Sequence, residues 1–232
     1  MTTYNKNKLY GIGIGPGDAE LLTIKAVKAL GKADIICVPK SKEQASTALS
    51  IVSGYLDDDV TIEHMEFPMS KDRNVRIEAR KKNAEIIQKH LRNNKTVAFL
   101  TLGDPMLYST YGYILEYLDK SVEIETIPGI YSFSAISSLL SVPLVKDHDK
   151  LSVICSFDES AKNMLPLSES IVCMKICRYK NELYDFLKAN EGFDFYMISE
   201  AGKEGQQVFT NIEVLKGDIS YFSTAILKRV KY

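Results

Sequence analysis

Strand-like and helix-like segments alternate along the first half of this 232-residue chain. The apolar runs at 34–38 and 96–102 are too short for helices, whereas 19–30 and 73–93 have helical periodicity. Parallel strands need long crossover connections of this kind, which are usually helices. The alternation therefore predicts a mostly parallel sheet with helices on both of its faces.

The second half of the chain carries more strands for each helix. Strands are predicted at 122–127, 151–156, 171–176, 193–199, 206–211 and 221–230, with helices at 131–140 and 181–189. This pattern favours a mixed sheet. We therefore expect two α/β domains, residues 1–120 and residues 121–232, with the boundary in the polar turn at 119–121.

Composition excludes several classes of partner. The chain is 45% hydrophobic and 25% charged with a net charge of −1, so no general footprint for nucleic acid or a membrane surface is expected. No apolar run approaches the roughly 20 residues of a spanning helix, and the polar N-terminus has no signal-peptide core. The four cysteines show neither a disulfide framework nor a zinc-type pair, which predicts a cytoplasmic protein. The three histidines are too widely spaced for a metal site.

A glycine-rich turn follows the first predicted strand, in the run 10–18. Glycine in a strand lets a ligand or another backbone approach closely. The dinucleotide-binding fingerprint needs glycines at i, i+2 and i+5. Counted from Gly11 the last position is Pro16, and counted from Gly13 it is Asp18. The turn therefore indicates a nucleotide-like ligand but departs from the usual dinucleotide site.

Two more glycine turns follow predicted strands. Gly103 is followed by Asp104, which suits an N-cap, and by Pro105, which suits the first turn of a helix predicted at 105–118. Gly129 follows Pro128 after the next strand. Ligands of open α/β sheets bind at the carboxyl ends of strands, so we expect all three turns to open on one crevice.

The three turns together resemble the signature turns of the tetrapyrrole methylases, which are S-adenosylmethionine-dependent enzymes of corrin and sirohaem synthesis. The resemblance spans essentially the whole chain and keeps the motif order, with segments 13–18 and 21–23, then 103–105, then 128–130. Segments 67–73, 102–110 and 221–224 resemble the subgroup that methylates carbon 20 of precorrin-2. The family implies two α/β domains with the cofactor folded into the cleft between them, usually in a homodimer.

The resemblance also implies which residues form the site. The implied cofactor-binding residues are Pro16, Leu102, Gly103, Asp104, Leu107, Tyr131, Ser132, Met174, Gly202 and Thr224. The catalytic candidates are Asp104 as proton acceptor and Tyr108 as its helper, with Tyr111 as a further helper and Asp18 as the second choice of acceptor. For a polycarboxylate substrate, the implied binding residues are Gly15, Asp18, Lys40, Arg73, Arg76 and Lys175, the basic ones through charge-assisted hydrogen bonds.

One position departs from the family pattern. Some members that methylate ring carbons carry an acid just after the second strand, where this chain has Pro39, Lys40 and Ser41. No general base is therefore assigned there.

The implied reaction is methyl transfer from S-adenosylmethionine to meso carbon 20 of precorrin-2, with the cobalt complex favoured over the metal-free form, in cobalamin synthesis. Three alternatives stay open. The acceptor could be a different ring carbon, or an RNA or protein methylated by an enzyme of the same fold. The chain could also be a cofactor-binding regulatory module without turnover. An RNA substrate would favour a broad basic face, which the balanced charge does not indicate.

Overall fold

The fold is given by a computed structural model that describes residues 7–40 and 42–230. The chain divides into two compact units, Met1–Tyr131 and Ser132–Tyr232. No helix formed by the described residues combines the length and the apolar character needed to span a membrane.

The first unit contains a parallel sheet of five strands. The strands are β1 (Lys8–Gly13), β2 (Ile35–Pro39), β3 (Thr61–Met65), β4 (Val97–Thr101) and β5 (Glu123–Ile127). They lie in the order β3-β2-β4-β1-β5, and each neighbouring pair is parallel. The carboxyl ends of all five strands therefore meet at one edge, as the alternation in the sequence predicts.

Helices cover both faces of this sheet. They are α1 (Ile24–Leu30), α2 (Lys42–Val52), α3 (Arg73–Arg92) and α4 (Tyr111–Leu115). One apolar cluster joins Leu30 of α1 to Ile12 and Leu100 of the strands. The other joins Ile87 of α3 to Phe99 of β4. Leu100 and Phe99 point to opposite faces because successive side chains of a strand alternate.

The second unit contains a mixed sheet. Its strands are β6 (Leu151–Ile154), β7 (Ser170–Met174), β8 (Phe193–Ser199), β9 (Gln207–Phe209) and β10 (Ser223–Arg229), in the order β6-β7-β10-β8-β9. The β6–β7 pair is parallel and the other pairs are antiparallel. Its helices are α5 (Ser132–Leu140), α6 (Glu159–Met164) and α7 (Lys180–Ala189). The mixed sheet agrees with the larger number of strands in this half of the sequence.

The predicted domain boundary at 119–121 differs from this division of the chain. β5 pairs with β1 along its whole length, from Lys8 opposite Glu123 to Ile12 opposite Ile127. This pairing makes β5 part of the first sheet, so the first unit extends to Tyr131. The pairing partners are more than 100 residues apart in sequence, which is why local composition did not indicate the boundary.

Two predicted helices are shorter than expected. In place of a helix at 105–118 the chain forms turns up to α4, because Tyr108 has a φ of 49° and the Ser109 hydroxyl donates to the Pro105 carbonyl. The helix predicted at 19–30 is split into a 3₁₀ turn and α1. The Thr23 hydroxyl caps α1 by accepting from the amide of Ala26 at 3.0 Å.

Candidate active site

The turns after β1 and β4 are joined by backbone hydrogen bonds at the carboxyl edge of the first sheet. The amide of Gly103 donates to the carbonyl oxygen of Gly15 at 2.8 Å. The amide of Gly15 donates to the carbonyl oxygen of Gly103 at 3.3 Å. Beside them, the amide of Ile14 donates to the carbonyl of Thr101 at 3.0 Å. The two turns therefore form a short antiparallel bridge just beyond two parallel strands.

Three glycines meet where the turn after β5 joins this bridge. A Cβ atom on Gly13 would lie 2.7 Å from the Cα of Gly129 and 2.8 Å from the carbonyl oxygen of Gly103. A Cβ atom on Gly129 would overlap the same Gly103 oxygen and lie 2.7 Å from the carbonyl carbon of Gly13. The three turns, predicted separately from the sequence, are thus in direct backbone contact that leaves no room for side chains.

Gly103 also exposes its backbone on one side. Gly15 and Gly103 have φ values of 74° and 72°, a conformation that glycine adopts without steric cost. Where a side chain on Gly103 would begin, the only atom within 4 Å among the described residues other than its two chain neighbours is the carbonyl oxygen of Ile130, at 3.9 Å. A ligand can therefore lie directly against the Gly103 backbone.

Asp104 is held by backbone amides. Its Oδ1 accepts from the amide of Met106 at 2.8 Å, and its Oδ2 accepts from the amide of Gly129 at 3.0 Å. The residue is only 5% exposed. The structure therefore places Asp104, the predicted proton acceptor, where the three turns meet. Both of its carboxylate oxygens already accept hydrogen bonds from backbone amides.

The two tyrosine candidates lie in different environments. Tyr108 is 43% exposed in the turn after β4, with a left-handed backbone. Tyr111 is fully buried against Gly11, and its hydroxyl is 3.0 Å from the Thr126 hydroxyl. Burial raises the pKa of Tyr111 despite the hydrogen bond to Thr126. The Tyr111 ring fills the core space that Gly11 leaves open, so the structure gives no support to Tyr111 as a catalytic helper.

The remaining first-unit candidates lie on or beside the same three turns. Pro16 follows Gly15, and Asp18 accepts from the amide of Glu20 at 2.8 Å as the cap of the 3₁₀ turn. Leu102 and Leu107 are partly exposed after β4, and Tyr131 is 38% exposed after β5. The structure therefore gathers the predicted first-unit cofactor residues at one edge of the sheet.

The basic first-unit candidates lie beyond β2 and β3. Lys40 Nζ is 2.8 Å from Glu66 Oε1, and this ion pair lowers the pKa of Glu66. Arg76 donates to the carbonyl oxygens of Ser70 and Lys71 and so holds the loop before α3. Arg73 is exposed at the first residue of α3. Lys40 and Arg73 are exposed at the surface, Lys40 with the exposed Glu66 as its partner, whereas Arg76 is partly buried and engaged with its own loop.

Four of the five second-unit candidates lie at one edge of the mixed sheet. Met174 ends β7 and pairs with Thr224 of β10. Lys175 comes next, with a φ of 56°, and its pKa is lowered by burial and by nearby Arg178. Gly202, with a φ of 74°, lies in the loop after β8. β7 and β8 are both antiparallel to β10, so they run in the same direction and end at the same edge of the sheet. Ser132, the remaining second-unit candidate, is the first residue of α5.

The same edge carries residues that sequence reasoning missed. Lys203 Nζ lies 2.9 Å from Glu200 Oε2 and 3.3 Å from the centre of the Phe222 ring. Burial tends to raise the pKa of Glu200, but hydrogen bonds from Ser220 and Lys203 outweigh it and the pKa is lowered. Glu200 and Lys203 are only three residues apart, but Phe222 belongs to a different segment, so the sequence gives no signal for the group before the fold is known.

The end of β4 carries one more feature that the sequence did not indicate. The Thr101 hydroxyl is buried and makes no hydrogen bond to any residue that the structure describes. Potential metal ligands do not cluster among the described residues. Residues 7–40 and 42–230 contain no group of three or more histidine, cysteine, aspartate or glutamate side chains placed to hold a metal ion.

The family model for tetrapyrrole (corrin/porphyrin) methylases matches residues 8–215. The chain belongs to the tetrapyrrole methylase family. Among its relatives, the "probable cobalt-precorrin-2 C(20)-methyltransferase" of Methanocaldococcus jannaschii is 35% identical over 229 residues, which cover 97% of each chain. The cobalt-precorrin-2 C(20)-methyltransferase of Salmonella typhimurium is 32% identical over 228 residues, which cover 96% of each chain.

Solved structures of tetrapyrrole methylases share the fold. A cobalt precorrin-4 methyltransferase matches with a TM-score of 0.74 at 17% identity, covering 97% of this chain and 95% of that one. The uroporphyrin-III C-methyl transferase of Thermus thermophilus complexed with S-adenyl homocysteine matches with a TM-score of 0.70 at 18% identity, covering 95% of this chain and 97% of that one. The prediction of two α/β domains of the tetrapyrrole methylase type is confirmed.

Proposed function

We propose that this protein transfers a methyl group from S-adenosylmethionine to carbon 20 of cobalt-precorrin-2, a step in building the corrin ring of cobalamin. The observation that carries the proposal is similarity over nearly the full length to two proteins named for that reaction. The glycine turns that distinguish this chain from dinucleotide-binding proteins are intact and in mutual contact.

The turns after β1 and β4 fit an adenosyl group. The backbone of Gly103 is open on one side, so a planar or apolar group can lie against it without meeting a side chain. Leu102 and Leu107 offer partly exposed apolar surface next to it. We propose that these residues bind the cofactor together with Pro16 and Tyr131. Ser132, Met174, Gly202 and Thr224 of the second unit stay predicted contacts.

The protein's main task is to align its two reactants. S-adenosylmethionine supplies a methyl group on a sulfonium, which is already a good leaving group, and a reduced tetrapyrrole is already electron-rich. Holding such a pair in the reacting geometry can lower a barrier by roughly 7–11 kcal/mol. Rigid backbone contacts such as those among Gly13, Gly103 and Gly129 suit this task because they fix the turns with no flexible side chain between them.

Basic side chains can bind the carboxylates of the substrate. We propose that Lys40 and Arg73, exposed beyond β2 and β3, bind carboxylates of the tetrapyrrole by charge-assisted hydrogen bonds. Lys175 keeps the same predicted role in the second unit, and Gly15 and Asp18 keep theirs in the first turn. The engagement of Arg76 with its own loop favours a role in shaping that loop. Tyr108 stays a predicted catalytic helper.

Two further predictions concern the protein in solution. We propose that the protein is a homodimer, as the family resemblance implies, and that it is cytoplasmic; the near-neutral net charge of −1 gives no support to a nucleic-acid partner. Light scattering on the purified chain tests the dimer directly. A mass of 26.1 kDa, that of a single chain, would contradict it.

Methyl transfer to a panel of acceptors tests the proposed reaction. Purified protein is incubated with S-adenosylmethionine carrying a radiolabelled methyl group and with cobalt-precorrin-2, metal-free precorrin-2, a bulk RNA fraction or a soluble protein fraction. We expect label in the tetrapyrroles, and faster labelling of the cobalt complex. Label only in RNA or protein, or cofactor binding without transfer to any acceptor, contradicts the proposal.

A further inference from the structure

Asp104 differs from every other acidic residue whose burial the structure describes. It is 5% exposed, and no other aspartate or glutamate in 7–40 and 47–230 is buried. A carboxylate withdrawn from water needs hydrogen-bond partners to offset the loss of hydration. Its partners therefore show what this side chain does.

The partners of Asp104 belong to two different turns. Oδ1 accepts from the amide of Met106, two residues further along the same turn, at 2.8 Å. Oδ2 accepts from the amide of Gly129, in the turn after β5, at 3.0 Å. One side chain thus joins the turns that follow β4 and β5.

A carboxylate is well suited to this junction. Both of its oxygens are acceptors, and both partners are backbone donors. An asparagine would turn an NH₂ group towards one of the two amides and lose that hydrogen bond. Hydrogen bonds to an ionised acceptor are also roughly twice as strong as neutral ones.

The junction and the glycine contact reinforce each other. The amide of Gly129 donates a hydrogen bond to Asp104. The Cα of Gly129 faces Gly13 and the Gly103 carbonyl oxygen, with no room for a side chain. Any shift of the turn after β5 therefore breaks the hydrogen bond or opens the glycine contact. The side chain and the backbone specify the same arrangement.

We propose that Asp104 is a positioning residue and not the proton acceptor of the methyl transfer. It holds the turns after β4 and β5 together and so sets the geometry of the cofactor-binding backbone. A proton acceptor must bring an oxygen within hydrogen-bond reach of the substrate proton. Both oxygens of Asp104 are directed at backbone amides instead. This inference rests on the proposed function.

The test compares Asp104→Asn with Asp158→Asn. Asp158 is an exposed residue of the second unit whose carboxylate accepts from the amide of Ala161 at 2.9 Å to cap α6, so it controls for the same chemical change. For each variant and for the wild type, the dissociation constant of S-adenosylhomocysteine is measured by calorimetry. The kcat at saturating cofactor is measured with cobalt-precorrin-2 across a range of pH.

The two roles of Asp104 predict opposite results. A positioning role predicts that Asp104→Asn weakens S-adenosylhomocysteine binding by about tenfold or more, and that kcat at saturation keeps the pH dependence of the wild type even where poorer alignment lowers its value. A proton-acceptor role predicts unchanged affinity and a fall in kcat of about a hundredfold or more. That second pattern, or no change in either quantity, overturns the inference. Asp158→Asn is expected to match the wild type in both measurements.

A measurement on the wild type keeps the inference testable if Asp104→Asn does not fold. In protein labelled with ¹³C and ¹⁵N, a scalar coupling across the hydrogen bond should connect the amide nitrogen of Gly129 to the carboxyl carbon of Asp104. A positioning residue keeps this coupling when S-adenosylhomocysteine binds, and its loss in the complex overturns the inference.

Failure of the proposed function gives a separate result. Wild-type protein that binds S-adenosylhomocysteine but methylates no tetrapyrrole contradicts the proposed reaction, while the affinity and coupling measurements still decide the role of Asp104. Wild-type protein that does not bind S-adenosylhomocysteine overturns both.

Discussion

At the scale of single residues, the site depends on positions where a side chain is forbidden. Gly13, Gly103 and Gly129 bring three turns into backbone contact, and Gly11 makes room for the ring of Tyr111. The sequence predicts that these glycines provide close approach. The structure adds that the approaching groups at Gly11 and Gly13 are parts of the protein itself.

Replacing Gly129 with alanine tests the backbone contact. The new Cβ would overlap the Gly103 carbonyl oxygen, and because that atom belongs to the backbone it cannot swing aside. We expect the free energy of unfolding to fall by about 3 kcal/mol, the upper end for overpacking, as measured by urea denaturation.

Gly112→Ala is the matched control for Gly129→Ala. Gly112 lies within α4, and apart from its chain neighbours and the backbone of α4 itself no described residue has an atom within 4 Å of the new Cβ. Alanine there should leave stability unchanged or raise it by up to about 1 kcal/mol. Equal effects of the two substitutions would contradict the contact among the turns.

Replacing Lys40 with methionine tests substrate binding by charge. Methionine keeps much of the side-chain volume and removes the charge, so one charge-assisted hydrogen bond to a substrate carboxylate is lost. We expect the KM for cobalt-precorrin-2 to rise about tenfold, with the affinity for S-adenosylhomocysteine unchanged, as measured by steady-state kinetics and calorimetry.

Lys120→Met controls for the change of net charge. Lys120 is exposed in the polar turn before β5, away from the carboxyl ends of the strands. The Lys120→Met substitution should leave the KM for cobalt-precorrin-2 unchanged. Equal shifts in both lysine variants would indicate a general effect of charge and would remove Lys40 from the proposed site.

At the scale of secondary-structure elements, one ion-pair network links β1, β5 and α1. Glu125 Oε2 is 2.7 Å from Lys8 Nζ, and Glu125 Oε1 is 2.7 Å from Lys25 Nζ. These hydrogen bonds, Lys25 first and Lys8 second, lower the pKa of Glu125 from its usual 4.5 to about 2. The network therefore adds to folding stability while Glu125 is ionised.

The lowered pKa of Glu125 sets the direction of a pH effect. Because its folded pKa lies below the unfolded value, this contribution is complete above pH 4.5 and is lost as the pH falls towards 2. Glu125→Gln should reduce stability at pH 7 by about 1 kcal/mol or less and should flatten the decline between pH 4.5 and 2. Urea denaturation at several pH values measures both.

An exposed glutamate provides the control for Glu125→Gln. Glu116 lies at the end of α4 on the surface of the same unit. Glu116→Gln should retain the wild-type decline in stability with falling pH. A Glu125→Gln variant with the same decline as the wild type would contradict the contribution of this network.

Strands were easier to predict than the segments between them. All five residues of β4 are buried, and an uninterrupted apolar run is visible in the sequence. The turns at 105–110 were not predicted, because the hydrogen bonds of Asp104 and Ser109 with the backbone compete with a helix that the local pattern favours. The short helix α6 was also missed.

The candidate site was predictable in its parts but not in its connections. The three glycine turns could be recognised because each follows a predicted strand. The bond between Asp104 and Gly129 joins residues 25 positions apart, and only the adjacency of β4, β1 and β5 brings them together. For the same reason the sequence could suggest Asp104 as important without revealing that both of its oxygens are engaged.

At the scale of the whole molecule, the family, the fold and the three glycine turns all agree with binding of S-adenosylmethionine by this chain. The parallel sheet of the first unit gathers three glycine turns at one edge, and the mixed sheet of the second unit gathers Met174, Lys175 and Thr224 at one edge of its own. Relatives named for methylation at carbon 20 match over nearly the full chain. The central claim is therefore a specific one, that the methyl group goes to carbon 20.

The position of the transferred methyl group tests that claim most directly. Wild-type protein is incubated with cobalt-precorrin-2 and S-adenosylmethionine carrying a ¹³C-labelled methyl group, and the product is analysed by NMR. The account predicts a single labelled methyl group bonded to meso carbon 20. A labelled methyl group on any other ring carbon would contradict it, even if the rate of transfer were high.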